Sequence, residues 1–144
     1  MSLMTEIMLS NEAMQYINMA SNLIKIDILD CMITDDKLVF IVKKGQLGAA
    51  IGIKARNLER LRSLFKKNIK FVEFDNDKER FIVNLCKPYK VNNVVLEGTE
   101  NSIIAKIKVD VSDKSKIIGK AGRNIDLIRK LAHRHHSIKD VQVA

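Results

Sequence analysis

Between residues 10 and 25 the apolar positions recur at helical spacing. Ala13, Ile17, Ala20 and Ile24 form one stripe, Met14 and Leu23 lie alongside it, and Ser10 stands where an N-cap belongs. Two strand-like runs follow, 26–33 and 38–42, separated by the polar Thr34-Asp35-Asp36-Lys37 of a turn. Residues 46–51 read as a short helical turn ending at Gly52. A helix over 56–67 comes next, with Leu58, Leu61, Leu64 and Phe65 facing inward, and a strand over 69–74. The order then starts again. Residues 77–87 predict a helix stopped by Pro88, the only proline, and 91–97 and 103–111 predict strands around Gly98-Thr99. In the second of these Ala105, Ile107, Val109 and Val111 alternate with Lys106, Lys108 and Asp110. Residues 114–118 lead into Gly119. A long helix over 123–135 buries Ile125, Ile128, Leu131 and Ala132, and 138–143 form the closing strand.

The recurrence extends to the letters. Ile-Gly-Ile-Lys-Ala-Arg-Asn-Leu-Glu-Arg-Leu, from Ile51, returns 67 positions later as Ile-Gly-Lys-Ala-Gly-Arg-Asn-Ile-Asp-Leu-Ile, from Ile118. Four of the eleven pairs are identical, which marks one supersecondary unit used twice. The chain therefore predicts two domains, 1–75 and 76–144, each α-β-β-α-α-β. The class is α+β, with a three-stranded sheet packed under three helices in each domain. No Pro-, Gly- or Ser-rich linker separates them.

Charge sharpens the picture once it is located. The net charge is +8, yet residues 43–70 hold nine Lys/Arg against the single acid Glu59, and residues 106–134 hold nine against Asp110, Asp113 and Asp126. The positive excess is thus confined to two segments, each centred on one copy of the repeated loop, as expected of a surface that meets a polyanion. With 47% apolar and 29% charged residues the chain can build an ordinary core. The run 38–42 falls far short of the ~20 residues of a membrane span, and the N-terminus lacks the pattern of a secretory leader. No membrane association is expected. Cys31 and Cys86 read as reduced core residues of a cytoplasmic protein. The methionines, Met8, Met14, Met19 and Met32 among them, read as core filler.

A glycine between an apolar run and a basic, helix-starting segment lets a backbone approach a phosphate closely. Gly119 and Gly122 have no Cβ, the N–H groups opening the next helix point outward, and Lys120 and Arg123 add charge at the same place. Ile118 and Ile125 are placed to line a narrow groove for unstacked bases. Aromatic residues make up only 5% and none lies in either loop, so ring stacking is not the expected mode. The first loop ends in Ala55 where the second has Gly122. Alanine fits there with a negative φ, and Lys54 and Arg56 keep the charge. Gly45-Gln46-Leu47-Gly48 also has the G-x-x-G spacing but falls seven positions early, so Gly45 reads as a strand exit and Gly48 as a helix-packing position.

The segment Ile-Ile-Gly-Lys-Ala-Gly-Arg-Asn-Ile at 117–125 resembles the signature of the K-homology (KH) domain, whose G-x-x-G loop clamps about four nucleotides through the backbone. Two strands before the loop and one after it are similar to the type II order. The resemblance assigns RNA binding to Ile51, Gly52, Ile53, Lys54, Ala55 and Arg56 in the first domain. In the second it assigns Ile118, Gly119, Lys120, Ala121, Gly122 and Arg123. The tandem of two type II domains, the paired Ile-Gly-x-x-x-Arg-Asn, the acidic stretch 73–79 and Arg-Lys-Leu-Ala-His-Arg-His near the end resemble the archaeal NusA-type transcription factors. That resemblance implies a monomeric factor in transcription elongation or termination (antitermination included), without the N-terminal polymerase-binding domain and oligonucleotide-binding barrel of bacterial NusA. Its implied partners are single-stranded RNA and RNA polymerase or other transcription factors. A competing reading is a protein-interaction module of the transcription or ribosome machinery with vestigial RNA-binding loops, favoured by Ala55. No cofactor is called for. No catalytic triad, carboxylate pair or complete P-loop is present, so no enzymatic activity is expected. His133, His135 and His136 near a helix end lack a converging cysteine or acid and are not read as metal ligands.

Overall fold

The structure, a computed structural model, describes residues 10–144 and divides into two compact units between Asp75 and Asn76. In the first unit α1 (Asn11–Ile24) is followed by β1 (Ile28–Ile33), β2 (Lys37–Val42), α2 (Leu47–Ile51), α3 (Arg56–Phe65) and β3 (Asn68–Glu73). In the second, α4 (Lys78–Cys86) is followed by β4 (Asn93–Glu97), β5 (Ile104–Lys108), α5 (Val111–Ile118), α6 (Arg123–His136) and β6 (Asp140–Val143). Among the described residues no helix is long and apolar enough to cross a membrane.

Each unit holds one three-stranded sheet with the same wiring. The hairpin strands pair antiparallel, Ile33 with Leu38 at the turn of the first sheet and Glu97 with Ile104 in the second. The last strand returns parallel to the middle one, Leu38 beside Ile69 and Ala105 beside Val141. A parallel return requires a crossover, and the two helices flanking the repeated loop supply it. The loop is therefore carried on the connection that closes the sheet.

The caps are local and legible. The Ser10 hydroxyl accepts from Ala13 N–H at 3.0 Å, and the Asp77 carboxylate accepts from Glu79 N–H at 2.9 Å, each contributing about 1 kcal/mol to its helix. In the first unit Ala13, Ala20 and Ile24 of α1 pack with Leu38, Phe40 and Val42 of β2, with Ala50 of α2 and with Leu61 of α3. Tyr16 meets Phe65 edge-on, with centroids 5.0 Å apart. The second unit buries Phe81, Leu85, Ile107, Ile117, Ile128 and Leu131. Full burial of an aromatic such as Phe40 or Phe81 is worth about 2–3 kcal/mol.

Several expectations are corrected. The alternation over 103–111 does not continue as strand. β5 stops at Lys108, and Val111, 90% exposed, opens α5 behind its N-cap Asp110. The side chain of Asn92 donates to the Asp110 carboxylate at 2.8 Å and fixes the bend. Leu64, Met14 and Met19 are each 48% exposed and not core, and Met8 lies outside the described residues. A methyl group at Gly48 would meet nothing within 4 Å, so that glycine serves no close packing. Gly45 does turn the chain out of β2, at φ +87°, and its N–H donates to the Glu73 carboxylate at the end of β3.

Candidate nucleic-acid interface

The two repeated loops adopt nearly the same backbone. α2 ends where Gly52 (φ 83°, ψ 168°) redirects the chain, and α5 ends at Gly119 (φ 80°, ψ 171°). Each of these glycines closes the helix before it, Gly52 N–H donating to Gly48 O and Gly119 N–H to Ser115 O, both at 2.9 Å. A single 3-10 turn follows, Ile53–Ala55 or Lys120–Gly122. It is closed by Ala55 N–H to Gly52 O at 3.0 Å and by Gly122 N–H to Gly119 O at 3.1 Å. The third loop position is left-handed in both copies, Lys54 at φ 53° and Ala121 at φ 55°.

The fourth position is left-handed as well, Gly122 at φ 73° and Ala55 at φ 59°. Alanine is thus not accommodated through a negative φ. It is held in the conformation that glycine adopts freely, at a cost of roughly 1–2 kcal/mol. The site permits this because the position is open. A methyl group built at Gly122 would meet only Ile125 Cγ2, at 4.0 Å.

The first glycine has no such freedom. A Cβ on Gly119 would sit 2.8 Å from Asn124 Cβ and 2.9 Å from its backbone nitrogen, and one on Gly52 would sit 3.0 Å from Asn57 Cγ and nitrogen. The asparagine of the repeated Arg-Asn pair explains the crowding. Asn124 Nδ2 donates to Ile117 O at 2.8 Å and Asn57 Nδ2 to Ala49 O at 3.1 Å. Each ties the last turn of the helix before the loop to the first turn of the helix after it and satisfies a carbonyl left open at a helix end. The identity of Asn57 and Asn124 across the repeat was the signal available in the sequence. Their role was not legible there, because the partner is a backbone carbonyl beyond a turn.

What faces outward is positive. Within each turn the N–H groups of the second and third loop positions (Ile53 and Lys54; Lys120 and Ala121) have no backbone acceptor among the described residues. Successive N–H groups in such a turn form a concavity suited to an anion oxygen. Lys54, Arg56, Lys120 and Arg123 are all exposed, and none of the four forms a salt bridge among the described residues. Other basic residues of the same segments are neutralised, Lys43 by Asp27 at 3.2 Å, Lys44 by Asp75 at 3.4 Å and Lys106 by Glu97 at 3.0 Å. Counting charges along the chain could not separate the two sets.

The apolar wall differs from expectation. Ile51 and Ile118 are half-buried beside their loops, but Ile125 is 4% exposed and belongs to the core. His135 and His136 pack their rings against Phe81, with centroids 5.6 and 5.3 Å apart, and so serve the contact between α4 and α6.

A three-stranded sheet under three helices, with a glycine-initiated turn between the second and third helices and a parallel last strand, is the type II KH arrangement. This chain is a tandem KH-domain protein. The family model for the NusA-like second KH domain matches residues 78–143. Over 137 residues the chain is 33% identical to the "Probable transcription termination protein NusA" of Halobacterium salinarum, covering 95% of this chain and 98% of that one. It is 29% identical over 140 residues to the protein of the same name from Methanocaldococcus jannaschii, covering 97% and 76%. Among solved structures, the crystal structure of APE1850 superposes with a TM-score of 0.79 at 28% identity, covering 94% of this chain and 100% of that one. The chain belongs to the archaeal NusA-like family of KH-domain proteins.

Proposed function

We propose that this protein binds single-stranded RNA through its two loops and acts, without catalysis, in transcription elongation or termination. One observation carries the reading. In both units the free N–H groups of a tight turn stand beside exposed cations that form no salt bridge among the described residues, Lys54 and Arg56 in one and Lys120 and Arg123 in the other. Lys43, Lys44, Lys106 and Lys116 of the same segments, by contrast, are paired with carboxylates. Backbone donors beside unpaired cations suit a sugar-phosphate chain. The family connection supports the cellular role, since its curated members are named for transcription termination.

The second loop carries most of the affinity. It has glycine at both ends and lysine at its second position, where the first loop has Ile53. The first loop extends the footprint through Lys54 and Arg56.

Titration of labelled single-stranded RNA against the native chain and against Lys120→Asp plus Gly122→Asp tests this. The open space around Gly122 leaves the aspartate only left-handed strain of ~1–2 kcal/mol to absorb. The expected result is a loss of about tenfold or more, because two negative charges replace a cation and face the phosphates. Equal binding by both proteins, or binding by neither, rejects the assignment. Single-stranded DNA of the same sequence shows whether the 2′-hydroxyl is read.

A further inference from the structure

The first unit carries an apolar groove that the RNA-facing turn does not explain. Ile53, at the position of Lys120 in the second loop, is 85% exposed. It lines a groove together with Leu23 of α1 and Leu64 of α3, and Lys54, Arg56 and Arg60 stand around them. Met19, 48% exposed, lies one turn before Leu23 and so on the same face of α1. Isolated exposed apolar residues are ordinary. Here, however, four of the five large exposed hydrophobic residues among the described ones fall in the first unit: Met14, Met19, Ile53 and Leu64. Two of the four wall the same groove.

The charges say what could lie there. Arg56, Arg60 and Lys54 form no salt bridge among the described residues. The one acid in the lining, Glu59, is engaged by Arg62 at 2.8 Å and leaves the three cations uncompensated. The wanted occupant therefore has an apolar stripe flanked by carboxylates. A channel between two helices takes a third helix through anchors spaced at i, i+3 or i+4 and i+7. RNA fits it less well. No aromatic ring lines the groove to stack a base, and the loop position nearest the phosphate path carries isoleucine in place of lysine.

We propose that the α1–α3 groove of the first unit docks an acidic amphipathic helix of a protein partner, leaving the second unit as the principal RNA reader. The proposal rests on the RNA reading above and makes the helix a competitor of RNA for Lys54 and Arg56 at the first loop, while Leu23, Arg60 and Leu64 belong to the groove alone.

The probes are a labelled helical peptide with a leucine stripe flanked by glutamates, the same peptide with lysines in place of the glutamates, and single-stranded RNA. Each is titrated into the full chain and followed by amide chemical shifts and by anisotropy. The glutamate peptide should move the amides of Leu23, Ser63 and Leu64. Leu64→Glu and Arg60→Glu, both at exposed positions and so compatible with folding, should each weaken it about tenfold. RNA affinity should change less than about twofold in Leu64→Glu, since phosphate contacts dominate that affinity. Equal binding of the lysine peptide, absence of any peptide binding, or RNA shifts centred on Leu23 and Leu64 would each overturn the proposal. The last outcome would make the groove an RNA surface. Shifts at Gly119 and Lys120 with RNA, read in the same spectra, report separately on the RNA assignment.

Discussion

Replacing Gly119 and Gly122 one at a time by alanine should produce unequal damage, although both have positive φ and both belong to the same loop. At Gly119 the new Cβ lies 2.8 Å from Asn124 Cβ and 2.9 Å from its nitrogen, distances that real Cβ atoms do not tolerate. Backbone strain at φ 80°, ψ 171° contributes about 1–3 kcal/mol and the overpacking about 1–3 more, so the loss should be about 3 kcal/mol. Relief requires moving Asn124, which forfeits its bond to Ile117 O. At Gly122 the nearest atom is Ile125 Cγ2 at 4.0 Å, leaving only the left-handed strain of ~1–2 kcal/mol. Restriction of the unfolded chain returns ~0.4–1 kcal/mol, and the net cost should stay near 1 kcal/mol. Amide hydrogen exchange at Leu131, buried in α6, reads the stability of the second unit directly. Equal losses for the two variants, or a neutral Gly119→Ala, would refute the argument that Asn124 and not φ alone excludes a side chain at Gly119.

The first loop offers the reverse experiment. Ala55→Gly removes left-handed strain of ~1–2 kcal/mol and loosens the unfolded chain by ~0.4–1, so a gain of about 0.5–1 kcal/mol is expected in urea unfolding. Asn124→Ala leaves the Ile117 carbonyl without its donor and should cost about 1–2 kcal/mol, with faster exchange at the Gly119 amide as the local sign. If four to six phosphates are contacted, the logarithm of RNA affinity should fall with the logarithm of salt concentration at a slope of about −3 to −4. A slope near zero would remove the phosphate-binding role from Lys54, Arg56, Lys120 and Arg123 together.

The duplication, the order α-β-β-α-α-β in each half and the concentration of basic residues around both loops were all present in the letters. Each is a local or additive property: a hydrophobic period, a cap such as Ser10 or Asp77, a repeated string, a sum of charges. Alternation alone carried the second hairpin too far. Val109 and Val111 continue the period of two, and only the bend fixed by Asn92 and Asp110 ends the strand at Lys108. Tertiary structure decided what depends on residues meeting across the chain. It placed Leu64 and Met14 at the surface although their spacing suited a core, because burial depends on which neighbours arrive and not on periodicity. It neutralised Lys43, Lys44 and Lys106 while leaving Lys54 and Lys120 bare, since a salt bridge needs a partner within about 4 Å and not merely a charge balance. It also set Ala55 in a left-handed conformation, because the backbone path between two packed helices, tied by Asn57 to Ala49, fixes φ at that position whatever residue occupies it.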